Sequence, residues 1–151
     1  MTIDDLIARE AVRDTLAAYN LAGDRLRHDA FVACFTEDAL YRSSVFHLVG
    51  RAAIRAWLTD FPTGTAGVRL VRHHLTTSRI TIDGADEARA RSYYLAATEH
   101  GPDHGGVYVD RFRRVETRWL IAEREVRLDW ARPDSRVVAP AALAALTARH
   151  G

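Results

Sequence analysis

Apolar residues recur every three to four positions at the start of the chain and every second position after residue 69, dividing the sequence into a helical front and a stranded back. Ile3, Leu6, Ile7, Val12, Leu16 and Tyr19 form one such stripe, with Thr2, Asp4 and Asp5 as a cappable, acidic start. Gly23 ends this first helix near Asp24. A second, short helix is expected over about 28–36, with Phe31, Val32 and Phe35 on its apolar side, followed by a strand over 39–46. Gly50 precedes a third helix that stops before Pro62, and 62–67 reads as loop. Strands are then expected over about 69–82, 88–99, 105–115 and 118–130, with turns at 83–87, 100–106 and 115–118. The tail from 131 to 140 is irregular, and 141–149 can form a short terminal helix. Helices first and a meander of long strands afterwards predicts an α+β domain.

A period of two sorts each strand into faces. In 74–82 the even set, His74, Thr76, Ser78, Ile80 and Ile82, is the better inner face, which turns His74 inward and His73 outward. In 118–130 the even set leaves Arg124 as the one charge on an otherwise apolar face shared with Leu120, Ala122, Val126 and Leu128. Tyr108, Asp110 and Phe112 are set inward on the strand between, because Arg111 and Arg113 favour the outside. Taken alone, either His74 or Arg124 could be a satisfied core residue. Two such groups on the inner faces of one sheet favour a wet or ligand-filled cavity, where polar groups are cheap.

Composition narrows the class. Apolar residues make up 48% and charged residues 27%, as in a soluble globular protein, and 151 residues suffice for one domain with a real core. Twenty-one basic against 20 acidic residues suggests neither a nucleic-acid nor a membrane partner. All the basic residues are arginine, so lysine chemistry is absent. The single Cys34 excludes an internal disulfide and fits a reducing compartment; without a signal-like leader or a long apolar run, a cytoplasmic location is expected. His100 and His104 lack ligands at metal-binding spacing, so no metal is expected. Trp57, Trp119 and Trp130 read as core or interface anchors. No dinucleotide-binding, phosphate-loop or nucleophile-elbow motif is present.

Asp24 after the first helix, "RHHLTT" opening a strand and the closing strand "RWLIAEREVRLDW" together resemble the SnoaL-like group of the nuclear-transport-factor-like cone fold, over about residues 3–130. That group includes scytalone dehydratase, bile-acid dehydratase, a dehydrochlorinase and polyketide cyclases. The resemblance implies a cone-shaped, strongly curved and mostly antiparallel sheet, with three N-terminal helices enclosing a cavity. Residues 1–130 would form this cone, and 131–151 a tail or lid. It further implies an aspartate–histidine dyad at Asp24 and His74, a substrate-polarising tyrosine at Tyr41 in "LYRSS", and a pocket-lining arginine at Arg124 in "AEREV". The dehydrochlorinase's lysine is missing here, and Gly23 stands where scytalone dehydratase has a tyrosine.

The reading that follows is a cofactor-independent lyase of the dehydratase type. His74, oriented by Asp24, would take a proton from carbon alpha to a carbonyl while Tyr41 donates to the developing enolate and Arg124 holds a leaving group or carboxylate. Tyr19, Phe31, Trp57, Tyr108, Asp110 and Phe112 would line a site for a small, largely apolar polycyclic or aromatic substrate. An isomerase or cyclase needs the same base and donor, and a ligand carrier or a ring-hydroxylating dioxygenase small subunit shares the architecture. A homodimer or homotrimer is expected, with Val107, Val109 and Ile121 as contacts.

Overall fold

The computed structural model describes residues 1–60 and 67–150, so most of the expected 62–67 loop lies outside the described residues. Three N-terminal helices, α1 (Ile3–Asp24), α2 (His28–Val32) and α3 (Arg51–Asp60), precede the long strands, and β1 (Phe35–Arg42) and β2 (His47–Val49) lie between the last two. Then come β3 (Val71–Ile82), β4 (Glu87–Thr98), β5 (Gly101–Val115), β6 (Arg118–Ala131) and a terminal helix α4 (Pro140–His150). The six strands form one curved sheet in the order β2-β1-β6-β5-β4-β3, antiparallel except where β1 runs parallel to β6. The α+β cone with three leading helices is thus present.

The first helix starts as its sequence dictates. Thr2 Oγ1 accepts from the Asp5 backbone N–H and Asp5 Oδ2 accepts from that of Thr2, a reciprocal box that satisfies two helix-end donors. Its apolar stripe is only half used. Val12, Leu16 and Tyr19 are buried against the sheet, whereas Ile3, Leu6 and Ile7 remain exposed and Ala8 and Ala11 pack against the core in their stead.

Two boundaries differ from expectation. The second helix stops at Val32, and Phe35 already belongs to β1, so the expected 39–46 strand is an earlier strand plus a short hairpin partner. The Gly- and Pro-rich run 100–106 is mostly strand, β5 beginning at Gly101. Its glycines serve close approach: a Cβ on Gly106 would land on the Arg127 carbonyl, and one on Gly105 would crowd Trp130 and the Tyr94 carbonyl.

Beta bulges bend the sheet and reset its faces. Leu75 opposes Tyr94 while Thr77 opposes Tyr93, leaving Thr76 as the extra residue of β3. Arg111 opposes Glu123 while Phe112 opposes Ile121, which does the same at Ala122 of β6. Asp103 is the extra residue where β5 pairs Ala96 and Ala97. Ile121, expected outside as a subunit contact, is consequently fully buried in the core with Trp119. Val107 and Val109 line recesses on the outer face of the sheet.

Candidate active site

The bulge at Thr76 decides which histidine enters the molecule. Before it, Val71, His73 and Leu75 are half-buried while Arg72 and His74 are exposed; after it the inward set switches to Ser78, Ile80 and Ile82. The inward placement of His74 is therefore corrected. Counting back by twos from Ile80 crosses the extra residue and lands on the wrong imidazole. It is His73 that meets Asp24. Asp24 Oδ1 accepts from His73 Nδ1 at 2.6 Å, and Asp24 Oδ2 accepts from the His73 backbone N–H at 3.0 Å. The helix end delivers the carboxylate and the strand delivers both donors, so ring and backbone are fixed together. An acceptor opposite Nδ1 puts a proton there, so that in the neutral imidazole Nε2 is bare; it has no hydrogen-bond partner among the described residues. The His73 side chain is 25% exposed and that of Asp24 only 6%, so the imidazole reaches solvent where the carboxylate does not.

A second imidazole stands beside it. On the neighbouring strands His73 pairs with Ala96 and Ala96 with His104, so both histidines lie in one row of the sheet, with ring centroids 5.7 Å apart and nearly perpendicular. Tyr94 borders both rings at 6.0–6.2 Å. Asp103, turned to the same side by its bulge, accepts from His104 Nδ1 at 2.8 Å through Oδ2. Burial lowers the His104 proton affinity below that of an ordinary imidazole against the pull of Asp103, and His73 lowers it further. The sequence points to His104 only as a metal-ligand candidate and to Asp103 and Tyr94 not at all, because the glycines and proline around 103 and 104 read as a turn and Tyr94 as an ordinary strand position.

The other expected site residues form a separate inner layer. Tyr19 touches Phe31 at 4.5 Å between ring centroids, and its hydroxyl shares a 2.8 Å hydrogen bond with that of Tyr41. Trp57 packs against Phe46 at 4.8 Å and Tyr41 at 5.9 Å, and Phe112 is buried in the same core. Arg124 is fully buried and its anion comes from within: Asp110 accepts from Nε at 2.7 Å and from Nη2 at 2.8 Å. The guanidinium is sandwiched between the rings of Tyr19 and Tyr108, 4.0 and 4.2 Å from their centroids. Burial works against this charge, but Asp110 outweighs it and raises the proton affinity of Arg124; burial in turn pushes the Asp110 carboxyl up against the pull of Arg124. Burial raises all three phenols as well, Tyr19, Tyr41 and Tyr108, so they stay protonated.

Arg124 and Tyr41 therefore do not touch the histidines. Six positions of β5, about 20 Å of extended strand, separate His104 from Asp110, and the link between the layers is the Tyr94–Tyr108 stack at 4.5 Å and 14°. Arg124 as a free cation for a leaving group is corrected too, since Asp110 already neutralises it. Among the described residues no cluster of three or more His, Cys, Asp or Glu side chains is placed to hold a metal ion, and no helix is long and apolar enough to cross a membrane.

The fold recurs widely among solved structures. A provisionally assigned scytalone dehydratase from Novosphingobium aromaticivorans superposes with a TM-score of 0.75 at 24% identity, over 87% of this chain and 91% of that one. A single-residue variant of Rv3472, a protein of unknown function from Mycobacterium tuberculosis, gives 0.72 at 29% identity over 95% and 86% of the two chains. The β subunit of a provisionally assigned aromatic-ring-hydroxylating dioxygenase from Novosphingobium aromaticivorans gives 0.72 at 22% identity over 84% and 92%. No curated protein matches the chain in sequence. The model of the SnoaL-like domain matches residues 4–125, from the first turn of α1 to the middle of β6, and the chain belongs to that family.

Proposed function

We propose that the protein is a cofactor-independent lyase of the dehydratase type, with His73 as its base. The observation that carries this reading is the double hold of Asp24 on His73, which fixes the tautomer that presents a bare Nε2. Nε2 takes a proton from carbon alpha to a carbonyl, and Asp24 stabilises the imidazolium that forms, as the carboxylate does in a hydrolytic triad. The same imidazolium returns the proton to a hydroxyl on the adjacent carbon; the C–O bond breaks, a C=C bond forms and water leaves. His104, neutral because of its burial, presents its own bare Nε2 and accepts a hydrogen bond from a substrate hydroxyl. Tyr94, whose ring borders both imidazoles, donates to the developing enolate in place of the more distant Tyr41.

The aromatic ring next to the histidines and the neutralisation of Arg124 by Asp110 in the inner layer favour a small, neutral, largely apolar substrate bearing a hydroxyl and a carbonyl. A screen of hydroxy-ketones by the absorbance of the conjugated product tests this, with His73→Ala as the comparison. Turnover of no candidate, or equal turnover with and without His73, defeats the proposal.

A second reading has its own support. Tyr19, Phe31, Phe35 and Tyr41 contact one another with ring centroids 4.5–6.4 Å apart inside the cone, the packing expected of a scaffold. A dioxygenase β subunit has the same fold. A scaffold subunit would co-purify with an iron-containing partner and leave every hydroxy-ketone untouched.

A further inference from the structure

We propose that the tail beyond β6 is part of the proton-transfer site, and that Ser135 is the positioning residue that latches Asp103 and through it orients His104. The inference rests on the lyase reading only for its effect on turnover; the latch stands on geometry.

Residues 132–138 fold over Asp103 through a set of short contacts. The Arg132 backbone N–H donates to the Asp103 carbonyl at 2.8 Å, and the Ser135 N–H donates to the Arg132 carbonyl at 3.0 Å, closing a turn. Ser135 Oγ accepts from the backbone N–H groups of Val137 at 3.2 Å and Val138 at 3.1 Å. Ser135 Oγ also lies 2.7 Å from Asp103 Oδ2. A hydroxyl has one hydrogen and two lone pairs. The two backbone donors occupy the lone pairs, so the hydrogen goes to Asp103.

Oδ2 of Asp103 is thus shared. It receives Ser135 Oγ–H from the tail and Nδ1–H from His104, and both Asp103 and His104 are nearly fully buried. As a bulge residue Asp103 has no ladder partner on β4, which leaves its side chain to be fixed by an anchor from elsewhere. The tail provides it. The charged and titratable groups around His104 are His73 from β3, Tyr94 from β4 and Asp103 from its own strand. From the tail comes Arg132, whose guanidinium is turned to Asp134 at 3.0 Å.

Full-length protein with nitrogen-labelled histidine tests the latch. Imidazole spectra should place the neutral His104 proton on Nδ1. In Ser135→Ala that preference should give way to a mixture of tautomers. Its titration midpoint should rise by at least about half a pH unit, since loosening the tail relieves the burial and removes the donor competing for Oδ2. Ser135→Thr should restore both, and Arg132→Ala, which leaves the serine in place, should move neither. On a substrate the wild type turns over, Ser135→Ala should lower kcat several-fold with a smaller change in KM. An unchanged His104 in Ser135→Ala, or an equal change in Arg132→Ala, overturns the latch whatever the activity. A shifted His104 in a protein that turns over nothing upholds the latch and counts against the lyase alone.

Discussion

Asp24 uses both of its carboxylate oxygens on a single residue, receiving the Nδ1–H and the backbone N–H of His73. The two bonds are mutually restrictive. Rotating the ring breaks one, and sliding the strand breaks the other. An imidazole held this way costs little further ordering at the moment of proton transfer.

Exchanging the two adjacent histidines separates a role in chemistry from one in folding. His73→Ala should reduce turnover by about 10²–10⁴-fold, the usual worth of a positioned base. His74 is exposed, and His74→Ala should leave turnover and melting temperature unchanged. Asp24→Asn should fall nearly as far as His73→Ala, because an amide offering its N–H side to Nδ1 favours the wrong tautomer. Equal losses from the two histidine variants would sink the assignment.

His104 makes stability depend on pH. Its folded-state proton affinity lies below the ordinary imidazole value because burial disfavours the charge, so the unfolded chain binds that proton first. The sign follows: stability is fully present above about pH 6.5 and declines as the pH falls toward the depressed folded value. Urea midpoints measured between about pH 7.5 and 5 should show this decline in the wild type. They should show less of it in His104→Gln, which has no proton to bind. Parallel curves for the two proteins would contradict the burial of a neutral imidazole.

Much of this architecture is written in local chemistry. The Thr2/Asp5 box, the stripe through Val12, Leu16 and Tyr19 and the inward turn of Tyr108, Asp110 and Phe112 follow from spacing, because nothing interrupts the period within those segments. Beyond Ala122 the inward turn of Arg124 and Val126 follows from spacing too, whereas the faces of the histidines and of the start of the last strand do not, for one reason. An extra residue at Thr76 or Ala122 has no signature of its own, since bulge residues are chosen by the curvature of the whole sheet. One unseen insertion exchanges His73 with His74, and another exchanges Ile121 with the outer face. The partner of Arg124 was visible as an inward Asp110, but the register that joins them is a property of paired strands.

The same limit hid the role of the glycines at 105 and 106, which gives a third test. A Cβ on Gly106 would overlap the Arg127 carbonyl, and backbone cannot swing aside as a side chain can. Gly106→Ala should cost about 1–3 kcal/mol or more of unfolding free energy, the range for overpacking, read from a urea melt. A glycine placed there only for a flexible turn would tolerate alanine without loss.

The buried pair of Arg124 and Asp110 yields a prediction in which the double change is milder than the single one. Arg124→Met removes one partner and leaves a carboxylate with no exposed surface and no counter-charge, a loss of about 3–5 kcal/mol. Adding Asp110→Leu removes the orphan, and packed hydrocarbon then replaces an ion pair whose desolvation had offset most of its attraction. The double variant should regain most of the lost stability in denaturant melts, a coupling that additive changes cannot produce. Because the pair lies in the inner layer, about 20 Å of strand from His104, the double variant should also keep most of its turnover. If stability returns and turnover does not, Arg124 acts on the substrate after all. Its Nη1, buried and without a hydrogen-bond partner among the described residues, is the atom that would do so.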